Sequence, residues 1–137
     1  MARLPRPAMD WRATFLLAFA LGLVLLLLRT WQLAFLAGFV AGMIAPRASR
    51  AFLLGGTAVA FAWAGYLVYL FDFTPAGQAS GLLVEILGLG AGLWWLPPLL
   101  SVGLGFLVGA TGGLTGHFGA RLFLWTEGPE TAAPPKA

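Results

Sequence analysis

Few side chains in this sequence have the chemistry to act on a substrate, and the one placed most unusually is Glu85. It stands inside an apolar stretch, where a carboxylate is costly, and intramembrane acids are often proton or cation sites. Glu85 is therefore a candidate ion or proton site, on a small-residue seam of its own with Gly81, Gly88 and Gly92. The competing reading puts it near the outer interface, reaching water, Gln78 or Arg29. No second acid lies nearby in sequence to form a relay.

His117 is the only histidine, so one copy of the chain cannot build a bis-histidine haem site. A lone histidine on an apolar helix is expected to be a hydrogen-bonded structural residue. Thr111 and Thr115, one turn apart, are expected to bond back to carbonyls of their own helix. There is no cysteine, no serine in a Gly-x-Ser-x-Gly turn and no Glu-x-x-His pair. Gly103-x-Gly105-x-x-x-Gly109 faintly imitates a nucleotide loop, but it lies within an apolar helix and not between a strand and a helix. This inventory points away from an enzyme and implies no catalytic residue, cofactor or metal.

The elements that must carry these residues are apolar helices. Of 137 residues, 60% are hydrophobic and 9% charged, far from a soluble composition. The net charge of +3 points to membrane topology and not to nucleic acid, because nearly all the arginines sit at the ends of apolar runs. The expected fold class is an all-α integral membrane protein with four transmembrane helices. Its spans cover about 12–29, 31–46, 50–71 and 97–121, with an additional half-membrane helix at about 75–94.

Residues 1–11 form the N-terminal segment in this reading, 12–125 a single transmembrane domain, and 126–137 a disordered proline-rich tail. The hairpin between the first two spans falls at Arg29-Thr30-Trp31-Gln32. Thr74-Pro75 reads as an N-cap with proline at the first helical position, and Pro97-Pro98 separates the half-helix from the last span.

Orientation follows from charge. With four crossings and a cytoplasmic N-terminus, Arg3, Arg6, Arg12, Arg47, Arg50, Arg121 and Lys136 lie inside, and Arg29 alone lies outside. Arg47 and Arg50 are topology determinants first and lipid head-group contacts second. Trp11 and Trp125 would mark the inner interface, and Trp31, Tyr69, Trp94 and Trp95 the outer one. The expected location is the cell membrane, multi-pass, with both termini cytoplasmic.

The strongest pattern is a stripe of glycines, Gly105, Gly109, Gly112, Gly116 and Gly119, at 4-3-4-3 spacing. At about 100° per residue the stripe is roughly 80° wide, so one helix face carries no side chains. In a bilayer such faces let helices approach closely. Ala51, Gly55, Ala58, Ala62 and Gly65 repeat the spacing, and Ala34, Gly38, Ala41 and Ala45 repeat part of it. Seams on three segments favour a compact internal bundle over a single dimer motif.

In hydropathy outline the chain resembles short, glycine-rich four-helix membrane proteins of prokaryotes, a likeness that carries no active residues across. The acidic first helix of small multidrug exporters, the asparagine-proline-alanine loops of aquaporins and the potassium-channel filter signature are all absent. The functional expectation is a non-enzymatic polytopic membrane protein, self-associating or an accessory subunit. Its partners would be the lipid bilayer and a second copy or other membrane subunits, with no nucleic acid. The alternative is a small oligomeric ion or proton channel or transporter using Glu85 and the broken segment near Pro97-Pro98.

Overall fold

The computed structural model describes residues 9–123. Among them every regular element is helical, in five α-helices: α1 (Trp11–Leu27), α2 (Ala34–Ile44), α3 (Ala48–Phe73), α4 (Ala76–Ile86) and α5 (Leu96–Phe123). Two short 3₁₀ turns, Trp31–Leu33 and Ala91–Leu93, lead into α2 and out of the loop after α4. Two of the helices, α3 and α5, are long and apolar enough to cross a membrane. The tail 126–137, Trp125, Lys136, Arg3 and Arg6 lie outside the described residues.

Helix ends follow local chemistry. After α1, the N–H of Thr30 bonds to the carbonyl of Leu25 and that of Arg29 to Leu26, while Arg29 takes φ 58°. This is the Schellman arrangement, with an arginine in the left-handed position that glycine fills without strain. α4 ends in the same way with a glycine there: Leu89 bonds to Val84, Gly88 to Glu85, and Gly88 has φ 71°. The comparison predicts that Arg29→Gly stabilises the fold by about 0.5–1 kcal/mol, an exposed side chain being all that is lost. Chemical denaturation in maltoside micelles checks this, and an unchanged or lower midpoint would refute it.

Three sequence expectations shift at these boundaries. Thr74 does not cap α4; its hydroxyl donates to the carbonyl of Leu70 at 2.6 Å, closing α3, and Pro75 stands at the N-cap of α4. The half-helix expected over 75–94 stops at Ile86, because Gly88 and Gly90, at φ 71° and 82°, turn the chain out of the helix. Pro97 and Pro98 lie inside the first turn of α5, where a missing N–H costs nothing, so α5 runs unbroken from Leu96 to Phe123.

Four helices alternate in direction. Gly22 of α1 lies against Ala37 of α2 and Ala62 of α3, and Ala18, Ala41 and Ala58 cluster with no exposure at all. α5 runs antiparallel to α3, since Gly105 meets Trp63, Gly109 meets Gly55 and Gly113 meets Ala51. It runs parallel to α2, since Gly109 meets Gly38 and Gly113 meets Gly42. Phe71 of α3 packs edge-on against Trp94 at 6.2 Å between ring centroids, which returns the chain to the end of the bundle it left at Phe73. The α4 excursion thus starts and finishes on one side.

Candidate functional site

The most distinctive local structure is where α5 wedges between α2 and α3. A helix carrying side chains keeps its axis 8–10 Å from a neighbour, and glycine removes that spacer. A Cβ built on Gly109 would strike the carbonyl oxygen of Gly55 and the side chain of Val59; one on Gly113 would strike the carbonyl of Ala51. On the α2 side, Gly112 lies against the carbonyl of Phe35 and Gly116 against that of Phe39. Gly38 and Gly42 of α2 abut the backbones of Gly109 and Gly113, and Gly55 of α3 abuts Gly109 as well. Backbone therefore meets backbone on both flanks of α5.

The other glycines of the sequence stripe are placed differently. A Cβ built on Gly105 would lie 3.2 Å from the ring and Cβ of Trp63, so it faces a side chain and not backbone. Gly65 has only a methyl of Leu23 at 3.9 Å, and Gly119 has nothing within 4 Å of a built Cβ. The antiparallel register with α3 explains Gly119: counting on from Gly113 opposite Ala51 passes beyond the first turn of α3, and α2 has already ended at Ile44.

Sequence reasoning missed Gly22, Gly42, Gly56 and Gly113. Each has a close neighbour: a built Cβ on Gly56 would strike the ring of Phe106, and one on Gly22 would lie 3.2 Å from the Cβ of Ala62. The available signal was glycine at i and i+4, as in Gly38-x-x-x-Gly42 and Gly109-x-x-x-Gly113. A heptad reading of one stripe per helix passes over it.

His117 joins this seam at its far end. Only 1% exposed, it places Nδ1 3.0 Å from the carbonyl oxygen of Ala45, the C-cap of α2. A carbonyl only accepts, so Nδ1 carries the proton and donates. The last carbonyls of a helix have no partner within it, and Pro46 supplies no N–H at the next position. An imidazole from α5 thus caps the buried end of α2. Thr111 and Thr115 donate back to Leu107 and Thr111 in their own helix at 3.0 and 2.8 Å.

Glu85 is exposed on α4, and its carboxylate makes no hydrogen bond or ion pair with a described residue, Gln78 and Arg29 included. Its seam faces open space, since built Cβ atoms on Gly81, Gly88 and Gly92 meet nothing within 4 Å. Arg47, the N-cap residue of α3, and Arg50 are exposed together at the α2–α3 turn. Among the described residues no three His, Cys, Asp or Glu side chains gather closely enough to hold a metal ion. Comparison with known proteins gives no match to any protein-family model, curated protein or solved structure.

Proposed function

We propose that this chain is a non-enzymatic, multi-pass protein of the cell membrane that self-associates or serves as an accessory subunit of a membrane complex. The observation that carries this is the inverted distribution of size. The fully buried positions are chiefly alanine and glycine, with Leu26, Val59, Val84 and His117 the largest side chains among them. The exterior carries Leu16, Leu53, Phe61, Val68, Leu104 and Leu107, each more than half exposed. Water would not tolerate so continuous an apolar surface, whereas lipid tails would cover it without cost.

Four crossings with both termini cytoplasmic agree with the alternating directions of α1, α2, α3 and α5. They also agree with the α4 excursion, which leaves the bundle after Phe73 and returns to the same end at Trp94. The alternative of a channel built on Glu85 draws nothing from a carboxylate on the outer surface of α4 or from an uninterrupted α5.

Since the glycines of the seam are consumed inside the bundle, the faces left for another subunit include that of Gly119 and, about 160° round α5 from it, that of the exposed Gly103, both with open space for a Cβ. Topology is tested with single cysteines in this cysteine-free chain. Thr30→Cys should react with an impermeant maleimide in intact cells and Ser49→Cys only after permeabilisation; the reverse pattern overturns the arrangement. Association is tested by Gly103→Leu and Gly119→Leu. The one that lies in the interface should lower cross-linked species severalfold with no loss of thermal stability, and a cross-linking pattern identical to wild type in both variants removes these faces from the proposal.

A further inference from the structure

Between the last three turns of α3 and the first two turns of α5 lies an open groove of about 530 Å³, within the range of small-molecule sites. Its walls include Leu67, Phe71, Leu99, Trp94 and Trp95, and Asp72 is the only charged residue among the described residues that line it. Along α3 the lining runs from Ala64 to Asp72, about 12 Å of helix, which matches an extended chain of roughly ten carbons.

The charge pattern selects the occupant. Asp72 is exposed at the end of this apolar run and makes no ion pair with a described residue. The same groove is lined by two indoles and the Phe71 ring, whose π-faces also attract positive charge. Carboxylate and aromatic faces favour the same ligand end, and no basic residue is among the lining residues to oppose it. An anionic head would meet Asp72, and a neutral chain would leave its charge unused.

We propose that the α3–α5 groove binds a lipophilic cation, an amine or quaternary ammonium on an alkyl body, with the charged head between Asp72 and the indoles of Trp94 and Trp95. The site follows from the groove and its charge alone, so it stands whatever the number of membrane crossings. Because Asp72 is exposed and makes no ion pair with a described residue, its replacement by asparagine leaves the fold in place.

The test is equilibrium dialysis of radiolabelled decyltrimethylammonium against purified protein in maltoside micelles, with empty micelles as the blank. Saturable binding near one per chain is expected, weakened about tenfold by Asp72→Asn, the worth of one modest charge contact. Asp72→Glu should restore it, and Trp94→Leu should weaken it about threefold. Decanol should displace the cation poorly from wild-type protein. The proposal is overturned by uptake that does not exceed that of micelles, by equal affinity in Asp72→Asn with wild-type circular dichroism, or by decanol competing as well as the unlabelled cation.

Discussion

Gly113→Leu and Gly109→Leu abolish the folded bundle, with loss of the monodisperse elution peak and of any cooperative melt in detergent. Ordinary overpacking of a core costs about 1–3 kcal/mol because neighbouring side chains rotate aside. Here the obstacle includes main chain of α3, the Ala51 carbonyl before Gly113 and the Gly55 carbonyl, with Val59, before Gly109, and carbonyls within a helix cannot rotate away. Relief requires α5 to separate from α3. Even alanine is expected to cost more than 2 kcal/mol at either position, at the upper end of that range.

The internal control is Gly119→Ala. With open space around it, the methyl should be neutral or stabilise by up to about 1 kcal/mol through helix propensity. Equal effects of alanine at Gly113 and Gly119 in thermal denaturation would show that backbone contact does not hold this bundle.

Removal of the His117 imidazole is the second large effect. His117→Ala leaves the Ala45 carbonyl buried, without the Nδ1 donor at 3.0 Å, and opens a cavity at the end of α2. A buried acceptor without its partner costs about 1–3 kcal/mol, and the lost packing adds to that. His117→Phe separates the two contributions, because the ring volume is largely kept while the donor is gone. Phenylalanine should therefore recover part of the loss in melting temperature, and alanine should be the less stable of the two. If both variants melt with the wild type, the imidazole is not capping α2.

What could be read from the sequence was the faces, and what could not was their pairing. Period alone places Gly105, Gly109, Gly112 and Gly116 on one side of a helix, and all four become buried. Period does not say that this side meets two helices at once, which is why Gly113, at the edge of the stripe, touches both α2 and α3. Nor does it give the length of a neighbour: Gly119 belongs to the same stripe but outruns α2 and the start of α3. Glu85 illustrates a different limit. Its apolar neighbours Val84 and Ile86 point respectively into and out of the structure, at 1% and 82% exposure, so hydrophobicity next to a charge does not reveal its depth. His117 was recognisable as structural, yet its acceptor, 72 positions earlier in the chain, was beyond any local pattern.

The small size of the buried residues also bears on conformational entropy. Alanine and glycine have no rotamers to freeze, so closing α2, α3 and α5 on one another costs almost no side-chain freedom, whereas each leucine ordered in an ordinary core loses about 0.5–1 kcal/mol. The large residues are outside, where they are not locked against one another. Tolerance to substitution is accordingly turned around in this molecule: the bulky positions are the exchangeable ones, and the positions with the least side chain admit the least change.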